Sequence, residues 1–148
     1  MSNGHTLWFH RFDSLPADNR EHAGRGTFEA RQVTSARVRV VVTGEIDATN
    51  REALGRFVER HTRISKQLVL DLSGVDFFGS QGFTALYYVS VQCMRRDVDW
   101  MIVGNRIARR ILRICDSEGD LPIVDDLATA QRRLDHLLRH RNMISSVG

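Results

Sequence analysis

Hydrophobic positions follow a two-residue period in some stretches of the chain and a helical period in others. A weak alternation over residues 28–36 is followed by the β-branched run Val38–Gly44, and together they predict a β-hairpin. Apolar residues then recur at helical spacing as far as about Ile64. Asp47 or Thr49 is the expected cap of that helix.

The middle of the chain predicts a buried strand that leads into a second helix. The continuous apolar run Leu68–Leu72 is typical of a central strand, and Ser73-Gly74 predicts a turn after it. A helix is expected from about Gln81 to Arg96. Because this segment has very few charges before Arg95, we expect it to be largely covered by other elements.

The last third continues the alternation of strands and helices. Strands are predicted at Val98–Val103 and Ile123–Val124, with helices at about Arg106–Asp116 and Thr129–His140. In the first of these helices, four apolar residues are expected to face inward and four arginines outward: Ile107, Ile111, Leu112 and Ile114 against Arg106, Arg109, Arg110 and Arg113. The pattern predicts one α/β domain, with a small mixed sheet that starts antiparallel and continues parallel, and about four helices.

Three segments are expected along the chain. Residues 1–27 are an N-terminal extension without a clear period, which is either flexible or docked through the aromatic stretch Trp8–Phe12. Residues 28–140 form the domain, and residues 141–148 are a C-terminal tail.

Composition narrows the class of protein. The 148 residues are 42% hydrophobic and 26% charged, which is typical of one globular domain. No apolar run approaches the roughly 20 residues needed to cross a bilayer, and no signal peptide is evident, so a cytoplasmic protein is expected. The net charge of +3 does not indicate nucleic-acid binding. Cys93 and Cys115 are predicted to be buried free thiols.

Catalytic and metal-binding patterns are weak. The chain has no phosphate-binding glycine loop and no zinc-protease motif. The histidines outside the extension, His61, His136 and His140, are spaced as structural residues of helices. Asp47, Asp71 and Asp76 are the candidates for a magnesium site, but roles in caps and turns are favoured for them. We therefore predict no enzyme activity, no metal and no cofactor.

Ser80 is the residue with the most distinctive setting. It lies in Gly79-Ser80-Gln81-Gly82, where a strand passes into a helix and where an N-cap belongs. The spacing is not that of a nucleophile elbow, and no base accompanies it. A phosphate on this serine would lie beside helix N–H groups that tolerate an anion. A structural cap and a modified serine both remain open from the residues alone.

Two stretches resemble the STAS family of bacterial anti-sigma factor antagonists. Thr43–Thr49 resembles the family's G-E-[IL]-D motif, and Leu70–Leu86 resembles its D-L-S-x-V-x-F-[IM]-D-S-[ST]-G-L-x-x-L motif. The resemblance covers about residues 28–140. It implies a small sheet with an antiparallel start and helices on one side.

The resemblance also implies a function. Family members bind an anti-sigma factor, typically a serine kinase of the ATPase class, and so free a sigma factor. The kinase phosphorylates a serine that matches Ser80, which abolishes binding, and a phosphatase restores it. Gln81 matches the second hydroxyl residue and Gly82 the glycine of the motif. Asp47 matches the aspartate of the first motif, and the resemblance implies that its loop adjoins the phosphosite. The expected partner-binding residues are Asp47, Thr49, Gly79, Ser80, Gln81 and Gly82.

Two positions beside Ser80 depart from the motif: Gly79 stands where the family has an aspartate, and Gln81 stands where it has a serine or threonine. The missing aspartate is the departure that matters. Losing that carboxylate predicts either weaker recognition by the kinase or a protein that binds without being switched. Two alternatives accompany the main hypothesis. One is a STAS scaffold subunit in a sensory or lipid-transport assembly, and the other is a small nucleotide-binding α/β protein.

Overall fold

A computed structural model describes residues 19–147 of the chain, with side chains as far as residue 144. These described residues form six strands and four helices, and all of them except the first strand correspond in order to predicted elements. The strands are β1 (Arg20–Ala23), β2 (Gly26–Thr34), β3 (Arg37–Ile46), β4 (Gln67–Phe78), β5 (Asp99–Val103) and β6 (Ile123–Val124). The helices are α1 (Arg51–His61), α2 (Ser80–Arg96), α3 (Arg106–Cys115) and α4 (Leu127–Val147).

The strands form one sheet in which spatial order equals chain order, β1 to β6. β1, β2 and β3 pair antiparallel, whereas β3 to β6 are mutually parallel. Helices connect the parallel strands because such strands need a long crossover between them. The predicted fold class, a mixed sheet with an antiparallel start and four helices, is confirmed.

β4 is longer than the sequence pattern predicts. The expected turn at Ser73-Gly74 is wrong, because the strand continues through these residues and Gly74 pairs with Thr43 of β3. Irregularities in the register accommodate the extra residues, and Asp71 accepts hydrogen bonds from the backbone and side chain of Ser73 there. The extension carries β4 directly to the start of α2.

Helices cover both faces of the sheet, so the expectation of helices on one side is also wrong. Successive side chains of a strand point alternately to the two faces of the sheet. Leu68, Leu70 and Leu72 join the larger hydrophobic core with α1, α2 and α3. Val69 joins a second cluster that includes Leu134 of α4. The last helix therefore packs on the face opposite to the other three.

Two predictions about helix faces are contradicted. α2 is less covered than its composition suggests, because Tyr87 and Met94 are 60% and 75% exposed. In α3 the buried residues are Ala108 and Leu112, and the partly buried Ile111 packs against the core, so the inward prediction is right for Ile111 and Leu112. Ile107 and Ile114, expected to be buried, are 37% and 72% exposed. A helical period defines a stripe on the helix, but the width of the covered stripe depends on which neighbour packs against it.

The ends of the domain extend beyond the predicted boundaries. β1 lies within the predicted N-terminal extension, and its residues pair with β2. α4 continues as far as Val147, through most of the predicted C-terminal tail. The predicted docking stretch Trp8–Phe12 lies outside the described residues. No helix in the described part of the chain is both long enough and apolar enough to cross a membrane.

Candidate functional site

The carboxyl ends of β3 and β4 place the two predicted motifs side by side. Ile46, the last residue of β3, pairs with Phe78, the last residue of β4. The Gly79 N–H then donates to the Ile46 carbonyl at 3.1 Å. Because the strands are parallel, the loops that follow them leave from the same edge. The structure thus brings the Asp47 loop next to the start of α2, where Ser80 lies.

Asp47 organises the turn between β3 and α1. Its carboxylate accepts hydrogen bonds from the backbone N–H and the hydroxyl of Thr49, at 2.9 and 2.5 Å. Both hydrogen bonds hold the pKa of Asp47 below its usual range, and the one from the Thr49 hydroxyl has the larger effect, followed by the one from the Thr49 backbone. The sequence predicted Asp47 or Thr49 as the cap of α1, and this prediction is wrong. The capping position belongs to Asn50. Asp47 is therefore an ionised group that shapes an exposed loop.

Asn50 is the residue of this site that sequence reasoning missed. Its side chain is buried and accepts from the Asp47 N–H at 3.0 Å. It also donates to the Ala23 and Glu45 carbonyls at 2.9 and 2.8 Å. One amide thus ties together the end of β1, the end of β3 and the Asp47 turn. An asparagine at the start of a helix pattern was the available signal, because such residues favour local backbone contacts.

Ser80 is exposed at the very start of α2. Its predicted place as the N-cap is wrong by one residue: Gly79 holds the capping position in an extended conformation, and Ser80 is the first helical residue. The Ser80 side chain makes no hydrogen bond to any residue in the part of the chain that the structure describes. The hydroxyl is therefore neither buried nor used to stabilise the helix.

Gly82 explains why the motif carries a glycine two residues after the serine. It is buried, and a Cβ placed on it would lie 2.5 Å from the Phe78 ring. Phe78 is itself almost fully buried, so its ring has little room to move. The missing side chain lets the first turn of α2 sit against the end of β4. Gln81, between the two, is partly exposed.

An aromatic ring occupies the flank where the family has an acid. A Cβ on Gly79 would lie 3.2 Å from the Phe77 ring. Phe77 is 49% exposed, so it forms part of the surface beside Ser80. The site therefore presents an apolar group, rather than a carboxylate, next to the serine.

A groove of about 450 Å³ runs between α1 and α2, and the α2 residue of its lining that lies earliest in the chain is Thr84, four residues after Ser80. Its walls include Arg51 and Arg56 from α1, and Thr84 and Tyr88 from α2. The Tyr88 hydroxyl donates to Glu59 at 2.8 Å, and this contact links the two helices farther along. The groove thus lies between two helices that start at the same edge of the sheet as Ser80.

Within the part of the chain that the structure describes, His61 and Cys93 are buried groups of the core. His61 is buried against Phe57, with a ring separation of 4.3 Å, and belongs to the core. Burial raises the pKa of the Cys93 thiol to about 12, so that this thiol stays protonated at neutral pH. Cys115 is partly exposed rather than buried as predicted. Among the described residues, no three His, Cys, Asp or Glu side chains are grouped to hold a metal ion.

Comparison with known families agrees with this geometry. The model of the STAS domain matches residues 27–130, which is most of the chain and includes both motifs. The chain belongs to the STAS domain family. The matched span begins at β2 and ends within α4, and it contains every residue of the Ser80 site.

Two curated relatives of this STAS chain come from Mycobacterium tuberculosis. Osmosensory protein A is 33% identical over 110 residues, which are 71% of this chain and 70% of that protein. Anti-sigma-F factor antagonist RsfA is 33% identical over 84 residues, which are 54% of this chain and 66% of that protein. Both relatives are thus similar to this chain over more than half of its length.

A solved structure supports the fold. The crystal structure of an anti-sigma factor antagonist from Mycobacterium paratuberculosis covers 73% of this chain and 92% of its own, with a TM-score of 0.59 and 23% identity. At this identity the likeness shows the fold alone. The STAS fold predicted from the two motifs is confirmed.

Proposed function

We propose that this chain is an anti-sigma factor antagonist that binds an anti-sigma factor of the serine-kinase type through the surface around Ser80. Phosphorylation of Ser80 would end that binding, and a phosphatase would restore it. The chain would act by binding and not as an enzyme, in the cytoplasm. The observation that carries the proposal is the exposed Ser80 hydroxyl, free of hydrogen bonds to residues 19–147, at the edge where both family motifs meet.

The names of two similar proteins support the proposal that this chain binds an anti-sigma factor. RsfA and the M. paratuberculosis protein are both described as antagonists of anti-sigma factors. The motif residues of the site, Asp47, Thr49, Gly79, Ser80, Gln81 and Gly82, lie on one edge of the sheet in two adjacent loops and the first turn of α2. A partner that contacts one motif would therefore contact the other.

Electrostatics support the proposal that phosphorylation of Ser80 ends the binding. The first turn of α2 has no acidic residue, and its N-terminus favours an added anion. A phosphate on Ser80 would bring roughly −1.5 to −2 charges without unfolding the helix. A partner surface that is complementary to the neutral serine and to the Phe77 ring would then face a doubly charged group. The loss of binding follows from desolvating that charge against a partner shaped for the neutral form.

The test combines binding and phosphorylation with a purified anti-sigma kinase of the same organism. We expect Ser80→Ala to bind and Ser80→Glu to lose affinity by about tenfold or more, as measured by calorimetry. Ser35→Glu is the matched control, because Ser35 is exposed in the turn between β2 and β3 at the opposite end of β3. That control should bind like the wild type.

Two outcomes count against separate parts of the proposal. If ATP and the kinase leave Ser80 unphosphorylated while binding persists, the switch is wrong and the chain binds without it, as Gly79 in place of the acid would explain. If no anti-sigma factor binds any variant, the antagonist role itself is wrong, and a scaffold subunit of another assembly becomes the better hypothesis.

A further inference from the structure

The exposed face of α3 carries a second set of features that the Ser80 site does not use. This face, called the α3 face below, consists of Arg106, Ile107, Arg110, Arg113 and Ile114, all of which are exposed. We propose that the α3 face binds an acidic amphipathic segment of a protein partner, with carboxylates on the arginines and an apolar side chain between the two isoleucines. The inference does not depend on phosphorylation of Ser80.

α3 is held firmly, so its outer face is presented in a fixed orientation. Ala108 and Leu112 are buried against the sheet. At its start, the Asn105 side chain accepts from the Ala108 N–H at 2.9 Å and donates to the Val75 carbonyl of β4 at 2.9 Å. At its end, the Asp116 carboxylate accepts from two backbone N–H groups, those of Asp120 and Leu121, both at 3.0 Å.

Only one charge of the α3 face, that of Arg113 in the last turn, is explained by the stability of the helix. Arg109 forms an ion pair with Asp125, but Arg106, Arg110 and Arg113 form none with residues 19–147. Arg106 lies at the helix N-terminus, where a cation is unfavourable, and the first turn has no acid to compensate. The spacing of Arg106 from Arg110, and of Arg109 from Arg113, also places like charges one turn apart, which is destabilising.

Two exposed isoleucines lie among these arginines. Ile107 and Ile114 are two turns apart on the same side of α3, and Arg110 lies between them. At 72% exposure, Ile114 contributes almost nothing to the core. The unpaired arginines and the exposed isoleucines of the α3 face lower the stability or solubility of the isolated domain. A complementary surface would pair the arginines and bury the isoleucines.

The mixture of charge and apolar surface decides the class of partner. Nucleic acid would neutralise the arginines but leave the isoleucines with water or phosphate. A membrane surface would need a larger apolar area than two side chains on a ten-residue helix provide. An acidic helix with an apolar residue at its centre matches both, because guanidinium groups pair bidentately with carboxylates while the apolar side chain buries the isoleucines.

The test maps binding by NMR on the full chain, unphosphorylated. The probe is a capped helical peptide of about 15 residues with glutamates flanking two leucines on one face. We expect shift changes centred on the amides of residues 105–116, and an affinity that weakens as salt rises from about 0.05 to 0.3 M. A peptide with lysines in place of the glutamates should give no such changes.

Variants link the shifts to the α3 face. Arg110→Glu combined with Ile114→Ser should weaken binding by about tenfold or more. Arg133→Glu combined with Met94→Ser makes the same kinds of change at exposed positions of α4 and α2, and should leave affinity unchanged. Dispersed amide spectra of both double variants would show that each is folded.

Several results would overturn the inference. These are the absence of shift changes with peptide on the order of 1 mM, changes centred away from α3, or equal responses to the acidic and lysine peptides. Tighter binding to a DNA duplex or to anionic phospholipid vesicles than to the acidic peptide would assign the α3 face to those partners instead.

Discussion

At the scale of single residues, a buried carboxylate illustrates how a candidate ligand becomes a structural group. Asp71 accepts from the Ser73 N–H and hydroxyl at 3.0 and 2.6 Å, and from the Arg39 guanidinium at 2.7 and 3.2 Å. Burial by itself raises the pKa of Asp71, but the hydrogen bonds from Ser73 and Arg39 outweigh it, so the pKa lies below its usual value. Its oxygens are used within the protein, as the preference for a structural role predicted.

The ionised Asp71 carboxylate makes the stability of the domain depend on pH. Because its pKa is lower in the folded than in the unfolded state, the carboxylate contributes stability that is complete well above about pH 4 and is lost as pH falls through the folded-state pKa. We expect Asp71→Asn to lower the free energy of unfolding by about 2 kcal/mol at pH 7. The difference from the wild type should shrink below about pH 4 in urea titrations.

Asp76→Asn supplies the control, because Asp76 is an exposed carboxylate of the same strand. It should change the free energy of unfolding by less than about 0.5 kcal/mol at any pH. If the loss of unfolding free energy in Asp71→Asn stayed constant from pH 7 to pH 3, the charge of the carboxylate would not be the cause of the lost stability.

At the scale of elements, the position of α2 depends on the close approach of its first turn to β4. The family motif predicts a glycine at position 82, but the pattern itself does not say why. The structure supplies the reason, since the Phe78 ring fills the space of a side chain there. The glycine of the motif therefore positions Ser80 indirectly, by letting the helix start against the strand.

A pair of glycine variants tests this packing. Gly82→Ala and Gly55→Ala both place a methyl group in a helix against an aromatic ring, at 2.5 Å from Phe78 and 2.9 Å from Tyr88. Phe78 is buried, whereas Tyr88 is 39% exposed and can move. We expect Gly82→Ala to cost about 1–3 kcal/mol in chemical denaturation, and Gly55→Ala to be close to neutral. Equal effects would contradict the account.

At the scale of the whole molecule, a buried polar network joins the sheet to α4. Arg37 is 4% exposed and donates to Gln67 at 2.8 and 3.0 Å and to Asp135 at 2.6 Å. Gln67 in turn donates to the Leu134 carbonyl at 2.7 Å. A guanidinium buried to this extent is tolerated only when its donors are satisfied. The network therefore fixes where α4 lies on the second face of the sheet.

Replacing Gln67 tests that network. Gln67→Met keeps a similar volume but leaves the Arg37 guanidinium without one of its acceptors. We expect a loss of about 2–3 kcal/mol in the free energy of unfolding, with faster amide exchange in α4 than in β4. Gln92→Met, on partly exposed α2, is the control and should be near neutral. Unchanged stability of Gln67→Met would mean that apolar packing alone holds α4.

Local patterns were sufficient for the order of the elements from β2 onward, and they placed Ser80 within one residue of its observed position. The alternating and helical periods arise from backbone geometry, so the initial hairpin and the later alternation of strands and helices are visible in the residues themselves. The two motifs then indicated the family, the Asp47 loop and the serine at the helix start. These features depend on neighbours in the chain.

Contacts between distant residues decided the rest. Whether α4 covers the same face as the other helices, and whether Ile107 and Ile114 are buried, depends on where the helices pack on the sheet. The role of Asn50 depends on carbonyls of β1 and β3, one of which lies 27 residues away. A period shows which residues share a face, but only the folded chain determines what covers that face.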